Sequence, residues 1–167
     1  MAQASSGVDR GDVATSGNVK VTVWRDKATS YAYALTQDAT TDAVLRQAEV
    51  IAATTVARLA VIAQDGAILV LWTDSTGLRA RRMDASTPAS GFGTSTLLDS
   101  GAIAALALAV CAGPAGLINV AYRRPASATA DNKLLKLSVR WSPEDNNQFK
   151  RLVIERRSLG YTSRIDS

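Results

Sequence analysis

Residues 65 to 84, Asp-Gly-Ala-Ile-Leu-Val-Leu-Trp-Thr-Asp-Ser-Thr-Gly-Leu-Arg-Ala-Arg-Arg-Met-Asp, predict a β-hairpin. Asp-Gly is a preferred two-residue turn before a strand. The strand that follows, residues 68 to 72, is apolar at every position, which indicates burial on both faces. Residues 73 to 77 have the composition of a turn, and residues 78 to 83 return with a mixed apolar and basic pattern.

The first strand of this hairpin occurs three times in the chain. Residues 17 to 24, 66 to 72 and 116 to 122 each begin with glycine and end with an aromatic residue. The glycines are 49 and 50 positions apart, and the aromatic residues are 48 and 50 apart. A nearly fixed period of this length indicates one supersecondary unit repeated in tandem.

Each repeat is predicted to contain four antiparallel strands. Apolar strands at residues 56 to 63 and 103 to 112 precede the second and third hairpins, and short outer strands follow the hairpins. Residues 41 to 53 fit either a helix capped by Asp42 or a loop with a short strand. Their alignment with residues 90 to 99, which contain two glycines, favours loop and strand with a helical turn allowed at 42 to 48.

The domain organisation predicted from this period is one β domain at residues 17 to 167. Its repeats are expected at about 17 to 63, 64 to 112 and 113 to 160, with a C-terminal strand at 161 to 167. Residues 1 to 16 are polar and small, and we expect an N-terminal arm held by a neighbouring subunit. Three such units are too few for a propeller ring, so either oligomerisation closes the ring or the stack stays open.

The runs at residues 59 to 66, 69 to 74 and 78 to 84 resemble sialidase-type and related β-propeller repeats. Such repeats occur in bacterial surface proteins, lectin-like proteins and phage virion proteins. The resemblance covers most of residues 17 to 160 and implies an all-β, propeller-like fold. The sequence has no Asp-box of the form Ser-x-Asp-x-Gly-x-Thr-Trp, so the resemblance concerns the fold more than the function.

The composition excludes several classes of active site. The chain has no histidine, which removes Ser-His and Cys-His nucleophile pairs and imidazole metal ligands. Cys111 is the only cysteine, so an intrachain disulfide is impossible, and its Ala-rich strand predicts a buried side chain. No apolar run is long enough for a membrane-spanning helix, and the N-terminus lacks the pattern of a signal peptide.

Charged residues give no catalytic pattern. Arg79, Arg81, Arg123 and Arg140 do not have the spacing of a sialidase-like arginine set, and we expect no enzymatic activity and no cofactor. Aspartates at strand ends are interpreted as Asx turns rather than metal ligands; they are Asp38, Asp42, Asp84 and Asp99. Arginine pairs in strand-like sequence are interpreted as solvated strand faces, with a sugar, phosphate or nucleic-acid surface as the alternative.

Candidate contact residues come mainly from the third repeat. It carries an insertion at residues 124 to 132 in place of a tight turn, and such insertions usually lie on a contact face. Trp24, Trp72 and Tyr122 are interpreted as core residues, with sugar stacking as the alternative. Residues 86 to 93 are predicted to form a long exposed loop with one aromatic residue, Phe92. The candidate ligand or partner contacts are Trp141, Arg123, Arg124, Asp131, Asn132 and Phe92.

The function expected from these observations is that of a non-enzymatic structural protein acting through protein–protein contacts. The resemblance implies a phage virion component, such as a head-decoration, neck or tail protein, located in the virion or at a cell exterior. We expect a homo-oligomer or a complex with other structural proteins, without membrane or nucleic-acid partners. The alternatives are a carbohydrate-binding module, lectin-like or receptor-binding, centred on the insertion and Trp141, and a sialidase-like hydrolase fragment.

Overall fold

The structure is a computed structural model, and it describes residues 7–100, 107–113, 117–123, 134–142 and 148–155, with side chains described as far as Tyr122. These residues form twelve β-strands and one short 3-10 turn, and they contain no α-helix. The strands pair into three antiparallel sheets of four strands, each in chain order. The all-β prediction is confirmed, whereas a propeller-like arrangement of the sheets stays a prediction.

The three sheets follow one another along the chain. Sheet 1 contains β1 (Val8–Ser16), β2 (Val19–Asp26), β3 (Ala32–Asp38) and β4 (Val44–Ala52). Sheet 2 contains β5 (Arg58–Gln64), β6 (Ala67–Asp74), β7 (Gly77–Asp84) and β8 (Thr96–Asp99), with the 3-10 turn at Pro88–Ser90 before β8. Sheet 3 contains β9 (Ala107–Ala112), β10 (Leu117–Arg123), β11 (Leu134–Ser142) and β12 (Gln148–Glu155).

The hairpin predicted at residues 65 to 84 is confirmed as β6 and β7. The two strands pair from Ala67 opposite Asp84 to Asp74 opposite Gly77 without a register shift. The turn from β5 into β6 consists of Asp65 (φ 48°) and Gly66 (φ 72°), and both φ values are positive as a type I′ turn requires. The Asp-Gly pair therefore sets the register of sheet 2.

Sheet 2 lies between the other two sheets. Every residue of β6 is buried. Successive side chains of a strand point to opposite faces, so β6 supplies two cores. Ile68, Val70 and Trp72 pack with β2, β3 and β4 of sheet 1. On the other face, Ala67, Leu69 and Leu71 pack with β10 of sheet 3 through Ile118, Val120 and Tyr122.

The first strands of the sheets, β1, β5 and β9, lie beside one another. They are linked by hydrogen bonds between a side chain of one sheet and the backbone of the next. The Val61 amide donates to Oδ2 of Asp12 at 3.0 Å, which links β5 to β1. Nε2 of Gln64 donates to the carbonyls of Gly113 at 2.8 Å and Leu117 at 2.9 Å, which links β5 to sheet 3.

The N-terminal segment differs from the sequence prediction. Residues 8–16 form β1 and pair antiparallel with β2 of the same chain, so most of the predicted arm is a strand of sheet 1. Each sheet accordingly begins one strand earlier than the predicted repeat boundaries at residues 17, 64 and 113. The sequence signal was weak because β1 is an edge strand with exposed, polar residues. The predicted strand at 161 to 167 and the insertion at 124 to 132 lie outside the described residues.

Residues 44–52 form β4, which confirms the strand alternative for residues 41 to 53, and no helical turn forms there.

Cys111 is exposed, so its predicted burial is wrong. In β9 the side chains of Leu108 and Val110 pack against the core of sheets 2 and 3, and the alternation of the strand places Cys111 on the other face.

The equivalent tryptophans Trp24 and Trp72 provide a matched test of this packing. We expect Trp72→Ala to lower the free energy of unfolding by about 3–5 kcal/mol, because it removes a side chain that is 2% exposed between two sheets. Trp24→Ala should cost only about 1 kcal/mol, since Trp24 is half-buried and loses chiefly its contact with Tyr33. Urea denaturation of both variants measures the difference, and equal losses would contradict the two-sided burial of sheet 2.

Candidate functional site

Phe92, a predicted contact residue, is part of the core. Its side chain is 6% exposed and packs with the apolar residues between sheets 1 and 2. Its amide donates to Oε1 of Glu49 on β4 at 3.3 Å. The prediction of an exposed aromatic is therefore wrong, because the loop after β7 folds back over the groove between β4 and β7 instead of extending into solvent.

Two of the other predicted contact residues, Arg123 and Trp141, belong to strands of sheet 3. In the backbone, Arg123 pairs with Ala107 and Leu134, and Trp141 pairs with Phe149. Their side chains are not among those described. Arg124, Asp131 and Asn132 lie outside the described residues, so a contact role for this group stays a prediction.

Sheet 1 has one face that packs on sheet 2 and one that no described residue covers. Val19, Val21 and Val23 of β2 point toward sheet 2. The alternate residues of β2 and their cross-strand partners form the opposite face, which we call the open face. Its residues are Val13, Lys20, Thr22, Trp24, Tyr33, Leu35, Gln37 and Val50.

The centre of the open face is apolar and aromatic. Trp24 and Tyr33 are opposite each other on β2 and β3, and their rings stack with centroids 5.7 Å apart and planes 17° apart. Val13 is 56% exposed, and Leu35 is half-buried. At one end Lys20 forms an ion pair with Asp42. Aromatic residues in the middle and charges at the rim are typical of a protein–protein interface.

A cavity of about 200 Å³ lies where sheet 1 meets the β6–β7 turn. The buried carboxylate of Asp74 lines it. Oδ1 accepts hydrogen bonds from the Thr76 amide at 2.7 Å and hydroxyl at 2.5 Å, and Oδ2 accepts from Nε1 of Trp72 and the Thr54 hydroxyl at 3.2 Å each. Arg79 completes the group, with Nε 3.7 Å from Oδ2. The carboxylate is saturated by its own chain, so its role is structural.

The environment of Asp74 changes its acidity. Burial raises the pKa of this carboxyl, but the hydrogen bonds from Thr76, Trp72 and Thr54 together outweigh burial and hold its pKa below the ordinary value of 3.8. The charged form is therefore the one that the fold stabilises.

Two of the strand-end aspartates form the predicted Asx turns. Asp38 accepts from the amides of Thr40 and Thr41 at 2.9 and 2.7 Å, and Asp84 accepts from the Ser86 amide at 2.8 Å. Asp42 and Asp99 have other partners: Asp42 pairs with Lys20, and Asp99 accepts from the Tyr122 hydroxyl. In the described part of the chain, no group of three or more Asp, Glu or Cys side chains is placed to hold a metal ion.

Arg81 links sheet 1 to sheet 2 rather than forming a solvated face. Its NH1 donates to the carbonyls of Val50 at 2.9 Å and Ile51 at 3.2 Å, at the end of β4. Its Nε donates to the Gly93 carbonyl at 2.6 Å. The guanidinium thus satisfies backbone carbonyls of an edge strand and a loop, and this use leaves it unsuited to binding phosphate.

No family model and no curated protein matches the sequence. Among the residues that the structure describes, no helix has the length and apolar character needed to cross a bilayer.

The residues of the open face were not recognised as a site from the sequence. The prediction that the three repeated aromatics are core residues is confirmed for Trp72 and Tyr122, which are buried, and is wrong for Trp24, which is half-buried on the open face. Val13 and Leu35 carry no local signal. The structure shows the equivalence of Val13 and Val61, because Val13 pairs with Thr22 as Val61 pairs with Val70.

The Asp74 network predicts a dependence of stability on pH. A carboxyl with a lowered folded-state pKa stabilises the fold above its unfolded pKa of about 3.9, and this contribution is lost as the pH falls through the folded value. We expect Asp74→Asn to lower the free energy of unfolding at pH 7 by about 1–3 kcal/mol, since Trp72 and Thr54 lose a charged acceptor.

The measurement is urea denaturation between pH 7 and pH 2.5. The wild type should lose stability below about pH 4, and Asp74→Asn should lose less over the same range. Asp65→Asn is the matched control, because Asn also favours the positive φ of the β5–β6 turn. Parallel curves for the wild type and Asp74→Asn would contradict a stabilising role for the charged carboxylate.

Proposed function

We propose that this protein is a non-enzymatic structural component of an assembly and that it acts through protein–protein contacts. The observation that supports this proposal is the open face of sheet 1. The equivalent face of sheet 2, formed by Ile68, Val70 and Trp72, is buried against sheet 1. The open face is the equivalent side of sheet 1, and no described sheet covers it. It carries the exposed Val13 and the Trp24–Tyr33 pair.

The polar groups of the described residues support a structural rather than a catalytic role. The most enclosed carboxylate, Asp74, has its acceptor sites filled, and Arg81 is bonded to backbone carbonyls. General acid–base or nucleophilic catalysis needs a group free to exchange a proton or attack a substrate. The resemblance of the hairpin repeats to those of phage virion proteins is the basis for placing the assembly in a virion.

A glycan-binding module is the second candidate. The specific observation in its favour is the half-exposed Trp24 stacked with Tyr33, because aromatic side chains with an apolar body and a polar end are well suited to mixed surfaces. The alternative centred on Trp141 and the insertion at 124 to 132 stays a prediction. A sugar on the open face would compete with any protein that covers it.

Light scattering across a range of concentrations distinguishes the two candidates. An assembly protein should have a mass above the 17.6 kDa of one chain, and Trp24→Ala should reduce that mass while the protein stays folded. Leu97→Ala is the control, because Leu97 is an exposed apolar residue of sheet 2 outside the open face.

A mass of 17.6 kDa at every concentration would contradict contacts between copies of this chain and leave only contacts with other structural proteins. If the same monomer bound a glycan array and Trp24→Ala abolished that binding, the second candidate would replace the first.

A further inference from the structure

Each sheet uses the same two faces to contact its neighbours. On the side toward the preceding sheet, sheet 2 presents Ile68, Val70 and Trp72, and sheet 3 presents Ile118, Val120 and Tyr122. On the side toward the following sheet, sheet 1 presents Val19, Val21 and Val23, and sheet 2 presents Ala67, Leu69 and Leu71. The interface between sheets 1 and 2 is therefore repeated in kind between sheets 2 and 3.

Two faces of the chain have no partner sheet among the described residues. One is the open face of sheet 1, which is a preceding-side face. The other is the following-side face of sheet 3, where Leu117 and Ala121 are half-buried and Ala109 of β9 is exposed. The open face thus corresponds to the faces of sheets 2 and 3 that pack on the preceding sheet. The face of sheet 3 corresponds to the faces of sheets 1 and 2 that pack on the following sheet.

We propose that a second copy of this chain docks its sheet 3 onto the open face, and that the reciprocal contact closes a ring of two copies. The inference rests on the proposed assembly function. Contacts between two different faces generate a ring when the rotation closes and a filament when it does not. Two copies carry six four-stranded sheets, which lies within the four to eight blades of known propeller rings, whereas three copies would exceed that number.

Equivalent residues show what each docking partner would bury. Val13 is 56% exposed, while its equivalent in sheet 2, Val61, is 8% exposed because sheet 1 covers it. Ala109 is exposed, while its equivalent Ala60 is 9% exposed on the side toward sheet 3. Docking sheet 3 of one copy on sheet 1 of another would bury Val13 and Ala109 to the same degree as Val61 and Ala60 are buried within the chain.

The arrangement of the first strands agrees with this docking. β1 lies beside β5 and β5 beside β9, so the next position after β9 would be occupied by β1 of the second copy. At the existing β1–β5 contact the Val61 amide is satisfied by Asp12. In the dimer β9 would lie beside β1 of the second copy through apolar contact, because Ala109 occupies the position that Asp12 has in β1, and two edge strands would be covered at once.

The test uses one charge on each face. Val13→Arg alters the open face and Ala109→Arg alters the face of sheet 3; both side chains are exposed in the single chain, so both variants should fold, as circular dichroism would verify. We expect each variant alone to weaken dimerisation at least tenfold in Kd, measured by sedimentation velocity. Leu97→Arg is the control, because Leu97 is 44% exposed although its face is already covered by sheet 1.

Mixing the two variants is the decisive step. Val13→Arg keeps an intact sheet 3 face and Ala109→Arg keeps an intact open face, so an equimolar mixture should form mixed dimers through one unaltered interface. Distinguishable fluorescent labels on the two variants would report such dimers.

Other outcomes separate this inference from the proposed function. If Val13→Arg prevents dimerisation and Ala109→Arg does not, two open faces contact each other; the assembly function stands and the two-face ring is overturned. If the mixture forms no mixed dimers, the ring is likewise overturned. If the wild type remains at 17.6 kDa at every concentration, the ring of two copies is overturned, whereas an assembly with other structural proteins still stands.

Discussion

The burial of β6 on both faces is the constraint on which the rest of the structure depends. All eight of its residues are buried, and alternate apolar side chains along the strand belong to two different cores. A strand with one uncovered face would alternate between apolar and polar residues, as β2 does with Val19, Lys20 and Val21. The continuous apolar run of β6 therefore requires a sheet on each side, and it fixes sheet 2 as the middle layer.

Directed polar contacts set how the layers are aligned. Apolar packing between sheets is tolerant of small sliding, whereas a hydrogen bond to one backbone group is not. Asp12 of β1 and Gln64 of β5 make such bonds between the first strands of the sheets, and Arg81 makes them with carbonyls of β4. The groups that Asp12 and Arg81 satisfy belong to the edge strands β5 and β4, where they would otherwise be open to strand addition by other chains.

The hairpins could be predicted from local sequence, whereas which faces of the sheets are covered could not. The Asp-Gly turn, the apolar run and the period near 50 residues predicted β6, β7 and the four-strand pattern, since turn geometry and strand alternation are local properties. β1 was missed because an edge strand with one open face lacks an apolar pattern. Phe92 and Cys111 were assigned the wrong exposure because loop packing and the side of a strand that faces the core depend on distant residues. The open face was missed for the same reason, since Trp24 and Trp72 occupy equivalent places and only the neighbouring sheet differs.

The composition of the open face sets a limit on how strongly it can bind. Where β6 of sheet 2 presents Ile68 and Val70 to sheet 1, β2 presents Lys20 and Thr22 on the open face, and of these positions on the two strands only the tryptophan is the same. Each polar residue lowers the apolar area available for burial, but it also allows the uncovered face to remain in water. Interfaces between separately folded partners are likewise more polar than permanent cores. A partner that covered the open face would therefore bind more weakly than the sheets of one chain bind each other, and its occupancy would depend on protein concentration.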